Sequence, residues 1–224
     1  MPEIRDMPED AVRVGEATRS ALINAGELLY GTHGIDAVSL SAIVREAGLG
    51  NKYAVQYHFR GRDGLLLAIL HNRSGLIEQR RGELLVEAGA AGGLEDVPTL
   101  VRALFLPVIE QTSADGRFTF ARFLLQYLNH PQMAGTVTQD PAARVDQIFT
   151  AQVRVLLQRQ IAGLDDAMFN WRFAMILRMV VSCAVSYEVA EEGGQPPMDR
   201  SRLIDEILAM ATAAMAAPVR QAAR

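Results

Sequence analysis

Cysteine and long uncharged apolar runs are almost missing from this sequence. Cys183 is the only cysteine among 224 residues, so no disulfide can form within the chain, and a reducing compartment suits it best. The most apolar stretch, residues 173–189, contains Arg178 and Glu188 and is shorter than the ~20 residues that span a membrane. The first residues are polar and acidic and contain no apolar signal-peptide segment. We therefore expect a cytoplasmic protein with no membrane partner.

Residues and motifs that carry enzyme chemistry are also scarce. The histidines, His33, His58, His71 and His130, do not have the spacing of metal ligands. The sequence has no phosphate-binding loop, no dinucleotide fingerprint and no G-x-S-x-G nucleophile motif. We predict no catalytic residue, no metal site and no cofactor.

Patterns typical of β-strands are missing as well. Beyond Gly93, no stretch alternates β-branched and polar residues, and glycine and proline separate apolar stretches of helical length. These stretches predict helices over residues 98–112, 117–129, 141–161, 165–192 and 199–216. We therefore expect an all-α chain, and with half of its residues hydrophobic it can bury a substantial core.

Residues 38–67 contain the most informative pattern. Apolar residues recur there at helical spacing, after a serine placed as an N-cap and before a glycine placed as a left-handed C-cap. The stripe is Leu40, Ile43, Val44 and Ala47, the N-cap is Ser39 and the final glycine is Gly48. A tight turn and a short polar and aromatic segment, residues 51–59, follow. This order of elements indicates a helix-turn-helix.

Several short motifs extend this pattern in a fixed order. They are Leu28-Leu29, Gly34-Ile35, Val38-Ser39-Leu40, Ile43-Val44, Ala47-Gly48-Leu49, His58-Phe59, Arg62-Asp63 and Leu65. Over residues 18–70 this set resembles the DNA-binding domain of the TetR family of bacterial transcriptional regulators. The interval from Gly48 to Phe59 is one residue longer than the commonest spacing, so Gln56 stands where the family usually has tyrosine, and Tyr57 follows it.

The resemblance implies an all-α fold with an N-terminal three-helix DNA-binding head and a larger helical ligand-binding and dimerisation body. Residues 1–13 are expected to form a flexible arm and residues 14–60 the helix-turn-helix domain, braced by a first helix over residues 15–33. Residues 61–224 would form the effector-binding and dimerisation domain. Its first part, residues 61–87, would be a linking helix that tilts in the family when a ligand binds.

The charge is distributed unevenly along the chain. The net charge is −4, yet residues 39–81 contain seven basic and three acidic residues, which gives this segment +4 and leaves −8 for the remainder. A basic module on an acidic body suits contact with DNA through one end only. The alternative is an ordinary solvated helix face rich in arginine.

The candidate DNA contacts lie in and beside the second short helix. Lys52 and Arg62 can neutralise phosphate, and Gln56 can pair with an adenine edge. The complete set, which includes two serines near a helix N-terminus and positions that follow from the resemblance, is Ser39, Ser41, Asn51, Lys52, Tyr53, Gln56, Tyr57, His58 and Arg62. The alternatives are a solvated Gln56 and a packed His58, while Val55 and Phe59 are predicted to be core residues.

The last two predicted helices suggest a homodimer. Between residues 168 and 189 apolar side chains occupy nearly every helical face, and such a helix must be buried on more than one side. The final helix adds an apolar stripe, so two helices from each chain would form a four-helix interface, as in the family. The alternative is a central core helix in a monomer.

A ligand-responsive regulator needs a pocket in the body, lined by apolar and aromatic side chains with a few polar ones. The candidate effector-binding residues are Phe123, Tyr127, Trp171, Met175, Arg178 and Cys183. Arg178 in an apolar helix needs a partner, which could be an anionic effector or an internal carboxylate. Trp171 and Met175 are also ordinary core residues by type.

These patterns favour a ligand-responsive regulator that binds double-stranded operator DNA, most simply a repressor released from a palindromic operator by an unidentified small molecule. One alternative is a helical ligand-binding or protein-interaction module without operator DNA, which the acidic total charge would suit. A second alternative, an enzyme, has no supporting motif.

Overall fold

The computed structural model describes residues 9–131 and 147–219, and every regular element in these ranges is an α-helix. The helices are α1 (Glu9–His33), α2 (Leu40–Glu46), α3 (Ala54–Phe59), α4 (Arg62–Ala90), α5 (Val97–Ile109), α6 (Thr119–Asn129), α7 (Ile148–Gln160), α8 (Asp166–Glu192) and α9 (Arg200–Ala216). The predicted all-α fold class is confirmed.

The helices form two compact units that divide within α4. The head extends to Asn72 and contains α1, α2, α3 and the first part of α4. The body begins at Arg73 and contains the remaining helices. Buried leucines line α4 on both sides of this division, for example Leu65 and Leu85.

Several helix ends differ from the sequence-based expectation. The α1 helix begins at Glu9, so residues 9–13, expected to belong to an arm, are helical, and Gly15 lies inside the helix rather than at its start. Residues 1–8 and the first residues of the helix expected over 141–161 lie outside the described ranges. The α5 helix ends at Ile109, and the Gln111 side chain donates to the carbonyl of Pro107 in its last turn.

In the head, α1 packs against α2 and approaches α4 closely at Gly26. A Cβ on Gly26 would lie 3.1 Å from Cδ1 of Ile69 and 3.3 Å from Cδ2 of Leu65, so glycine allows the two helices to approach closely. Leu22 of α1 and Ile43 of α2 are fully buried in the same unit. This brace matters because α2 and α3 are too short to be stable alone.

The α5 helix is the most deeply buried helix of the described body. All residues from 103 to 109 are buried, and α5 packs against α7, α8 and α9. Pro107 lies inside this helix and has no N–H to donate to the carbonyl of Ala103, four residues earlier. Nε of Arg81, on α4, donates to that carbonyl at 3.1 Å, and a terminal nitrogen of Arg81 donates to Leu104 O at 2.8 Å. A buried arginine therefore supplies the hydrogen bond that the proline removes.

The charge of Arg81 is balanced by Glu78, one helical turn earlier on α4. The two side chains form a buried ion pair. Burial lowers the pKa of Arg81 below that of an exposed arginine, and the Glu78 carboxylate acts in the opposite direction. The same carboxylate accepts the backbone N–H groups of Phe149 (3.0 Å) and Thr150 (3.4 Å) at the first turn of α7. Glu78 therefore caps α7, whose own N-cap residue, Gln147, provides no side-chain cap.

A second buried glutamate performs the same function for α6. Oε1 of Glu188, on α8, accepts the backbone N–H of Phe118 at 2.8 Å, where α6 begins without a side-chain cap of its own. Arg122 pairs with the other carboxylate oxygen of Glu188. Both helices are therefore capped by carboxylates from neighbouring helices rather than by local residues.

The α8 helix is long and apolar enough to cross a membrane by length and composition alone, with 27 residues and a mean hydropathy of 1.6 over its most apolar part. It packs against α5, α6 and α9 and carries the buried, hydrogen-bonded Glu188. Core helices of globular domains have the same composition, so this packing favours a body helix.

The buried ion pair leads to a stability prediction. Replacing Arg81 with methionine should destabilise the body by about 3–5 kcal/mol, because Glu78 would keep its buried charge without a cation and the Ala103 carbonyl would lose its donor. The measurement is the free energy of unfolding from urea titration followed by circular dichroism. The matched control is Arg80→Met, since Arg80 is partly exposed and pairs with Glu83 and Glu110 at the surface. Its loss should cost no more than about 1 kcal/mol. Equal effects of the two substitutions would contradict the prediction.

Candidate nucleic-acid interface

The α2 helix is fixed at both ends by the residues that the sequence pattern indicated. The Ser39 hydroxyl accepts the backbone N–H of Ala42 at 3.2 Å, as an N-cap does. At the other end, Gly48 has φ of +69°, its N–H donates to Arg45 O, and the N–H of Leu49 donates to Val44 O. These two bonds form a Schellman motif, which turns the chain sharply towards α3.

The entry to α3 is organised by Asn51. Its side-chain oxygen accepts the backbone N–H of Tyr53 at 3.0 Å, and its carbonyl accepts the N–H of Ala54. This Asx turn starts the helix, which Tyr53 itself does not cap. Asn51, predicted as a DNA contact, therefore has a structural role in positioning α3.

The α3 helix separates its residues cleanly into an inner and an outer face. Val55 and Phe59 are buried, which confirms their prediction as core residues. Tyr53, Gln56 and Tyr57 are exposed at spacings of three and four residues, so they share one helical face. Tyr53 is 64% and Tyr57 81% exposed, values that leave both rings available to an external partner. Both tyrosines therefore lie on the outer face, on the same side as Gln56.

Lys52 and His58 lie at the edges of this outer face. The Lys52 ammonium lies 5.1 Å from the centroid of the Tyr53 ring, within the range of a cation–π contact. His58 is half-buried, and its ring meets that of Tyr57 edge-on with centroids 5.0 Å apart. In the absence of DNA, His58 is therefore packed against Tyr57, which corresponds to the alternative of a packed histidine.

A shallow concavity of about 400 Å³ lies beside α3 in the head. It is open to solvent, and it is lined by Thr18, Leu49, Gly50, Asn51, Ala54, Tyr57 and His58. Binding sites for small molecules usually enclose most of the ligand surface. This open concavity therefore does not have the form of an enclosed small-molecule site.

Arg62 is engaged within the head. Its guanidinium donates to Val38 O at 3.0 Å and lies 3.7 Å from the Asp36 carboxylate. The buried Tyr30 hydroxyl is nearby, and burial raises the pKa of Tyr30 although Arg62 acts to lower it. Arg62 therefore ties the start of α4 to the loop before α2, a positioning role that the sequence did not indicate.

Fewer basic residues lie at the interface than the charge of residues 39–81 suggested. Arg73, Arg80 and Arg81 belong to the body, and the last two are paired with glutamates there. Between residues 40 and 60 the exposed cations are Arg45, Lys52 and Arg60. The two arginines were not among the predicted contacts, because no motif position marks them.

Comparison with known proteins supports this geometry. The family model described as bacterial regulatory proteins, tetR family, matches residues 22–69, which span the helix-turn-helix and its braces. Residues 22–69 are therefore similar to the DNA-binding domain of TetR-family regulators. No curated protein sequence matches it significantly.

The fold of TetR-family regulators extends over nearly the whole chain. A TetR-family transcription regulator from Shewanella sp. PV-4 is similar at 14% identity with a TM-score of 0.57, covering 88% of this chain and 97% of its own. A TetR-family transcriptional regulator from Rhodococcus sp. is similar at 19% identity with a TM-score of 0.51, covering 89% and 99%. At these identities the likeness concerns the fold alone.

The six candidate effector residues lie on α6 and α8 and differ in burial. Phe123 and Tyr127 are buried on α6 with ring centroids 6.0 Å apart. Trp171 and Met175 are exposed on α8. The sequence-based set is therefore divided between the interior of the body and its surface.

Arg178 and Cys183 are both half-buried on α8. The Arg178 guanidinium donates to Leu128 O at 2.9 Å and to Ala174 O at 3.2 Å, so carbonyl groups rather than a carboxylate receive its bonds. The Leu128 carbonyl belongs to the last turn of α6, where a cation is favourable. Burial raises the pKa of the Cys183 thiol, which disfavours a reactive thiolate.

The glycine turn provides a test of the interface geometry. Gly48→Ala should destabilise the α2–α3 segment by about 1–2 kcal/mol, because alanine resists the left-handed conformation even though its Cβ would meet no neighbour. Gly50→Ala is the matched control, since Gly50 has equally open space and no positive φ. Amide hydrogen exchange of residues 40–59 measures the local effect. Equal exchange in the two variants would refute the turn geometry.

Proposed function

We propose that this chain is a homodimeric, cytoplasmic repressor that binds a palindromic operator and leaves it when a small molecule binds the body. The observation that carries the DNA-binding part is the outer face of α3. Tyr53, Gln56 and Tyr57 project from a short helix that Ser39, Gly48 and their bonds hold in a helix-turn-helix. A major groove admits one such helix, and its base edges present donors and acceptors to these side-chain types.

The roles of the outer residues follow from their chemistry. The Gln56 amide can make a bidentate pair with an adenine edge, which reads sequence. Tyr53 and Tyr57 can donate to phosphate or pack on a thymine methyl, and Lys52 can neutralise a phosphate without reading sequence. Ser39 and Ser41 are exposed at the start of α2, and their hydroxyls add further donors for phosphate.

Dimerisation is supported by the exposed apolar residues of the last two helices. Trp171, Met175 and Val189 follow one side of α8, and Met210 is exposed on α9. The opposite side of α8 is buried against α5 and α6. Large exposed apolar side chains on adjoining helices are typical of a protein interface. We therefore assign α8 and α9 to the contact between subunits.

Release by an effector rests on the family resemblance and on the α6–α8 part of the body. The buried aromatic residues Phe123 and Tyr127 lie on the same helix whose last turn Arg178 caps. An anionic effector that took the guanidinium from the Leu128 carbonyl would alter the end of α6. Such a ligand has a defined polar partner in an otherwise apolar environment.

Selection of bound duplexes from random-sequence DNA by the purified chain tests the DNA-binding proposal, and a palindrome is the expected product. The half-sites should lie about one helical turn apart, or a multiple of it. Recovery of no preferred duplex would overturn the proposal.

Two substitutions on the recovered duplex should separate sequence reading from phosphate contact. Gln56→Ala should remove about 1–3 kcal/mol of discrimination at one base pair in each half-site. Lys52→Ala should weaken binding to all duplexes alike and reduce the salt slope by about 0.9 for each phosphate that is no longer neutralised. Fluorescence anisotropy on matched and mismatched duplexes measures both effects. Arg159→Ala, an exposed change on the body, is the control that should leave both quantities unchanged.

The subunit contact has its own prediction. Trp171→Glu should shift the protein from dimer to monomer in sedimentation velocity, because the carboxylate would be buried without a partner in the interface. Val86→Glu is the matched control, since Val86 is an apolar residue on α4 that is even more exposed than Trp171. A wild-type chain that sediments as a monomer would exclude the dimer.

A further inference from the structure

Arg60 occupies an unusual backbone position at the end of α3. Its φ and ψ are +61° and +13°, and among the described residues it is the one non-glycine with a positive φ. Its backbone N–H donates to Gln56 O at 3.0 Å and ends the helix. Glycine or asparagine is the usual residue at such a site, since a side chain is disfavoured in the left-handed region.

The Arg60 side chain does not stabilise the head in return. It is exposed, and it makes no hydrogen bond or ion pair with any residue in the described part of the chain. Arg62, two residues later, is in contrast bonded to Val38 O and lies near Asp36. The left-handed conformation is thus adopted by a residue whose long cationic side chain extends away from its own protein. Residues in strained conformations are concentrated at functional sites.

Arg60 directly follows α3, at the opposite end of the outer face from Lys52. Lys52 precedes the face and Arg60 follows it, so Tyr53, Gln56 and Tyr57 lie between two exposed cations in the chain. A helix in a major groove is flanked by phosphate backbones on both sides. One cation beyond each end of a short reading helix is the arrangement that can reach both.

We propose that Arg60 is a phosphate-contacting residue that, with Lys52, orients α3 in the groove, while Arg62 positions the loop before α2. This assignment rests on the proposed DNA-binding function. The sequence predicted a phosphate contact for Arg62, and the proposal assigns that contact to Arg60 instead. The dipole of α3 also favours a cation at its C-terminal end, and that account requires no DNA.

The test uses the full chain and the duplex that the wild-type protein selects from random DNA. In Arg60→Gly the charge is removed and the backbone strain is relieved. We expect an equal or higher melting temperature, together with about tenfold weaker binding and a salt slope reduced by about 1.8, that is 0.9 for each subunit of a dimer. Arg60→Lys should retain the slope. Arg60→Gln should reduce the salt slope but retain the backbone strain. Comparison with Arg60→Gly therefore separates the effect of the charge from that of the backbone conformation.

The outcomes distinguish this inference from the proposed function. If the wild-type chain selects no duplex, the DNA-binding proposal itself fails. If it selects one and Arg60→Gly binds it with unchanged affinity and slope, Arg60 is not a phosphate contact, and its charge serves only the helix dipole. Equal weakening of binding in Arg60→Lys and Arg60→Gln would also overturn the inference, because a charge-dependent contact requires lysine to substitute at least in part.

Discussion

The hydrogen bond from Arg81 to the carbonyl of Ala103 is the contact on which the body depends. Pro107 interrupts the deepest helix of the described body and leaves a buried carbonyl without its usual donor. The buried Arg81 donates to this carbonyl, and a buried guanidinium is stabilised by a carboxylate. Glu78 provides that charge and at the same time caps α7. The Arg81–Glu78 pair thus joins α4 to both α5 and α7.

In the head, local backbone geometry defines the helix-turn-helix. Its two short helices are defined by a serine cap, a Schellman glycine and an Asx turn, each local in sequence. These caps and turns fix the orientation of α3 through a few short-range hydrogen bonds. Its exposed side chains are therefore held in a defined geometry. The packing of α1 on α4 then makes this arrangement stable.

The difference between the two units explains how much could be predicted from the sequence. Ser39 and Gly48 were identifiable because caps act over three or four residues, and Val55 and Phe59 because burial follows helical period. The structural role of Arg62 was hidden, since its partners, Val38 and Asp36, precede it by more than twenty residues and no periodicity links them.

In the body, even more of the important contacts join residues that are distant in the sequence. The pairs Glu78–Phe149 and Arg178–Leu128 join helices far apart in the sequence, so no local pattern could place them. Trp171 and Met175 are predicted as pocket or core residues from their type, whereas both are exposed on α8, because the burial of a helix side depends on neighbours distant in the sequence. The left-handed Arg60 was equally unpredictable, because arginine gives no sign of such a conformation.

Trp171 is also the single tryptophan of the chain, and it is 62% exposed on α8. Its indole emission therefore reports the polarity at one point of the surface, without any added label. A subunit that covers this point would shift the emission to shorter wavelength, and dilution below the dissociation constant would shift it back. The emission of Trp171 would therefore report the dimerisation proposed for α8 and α9.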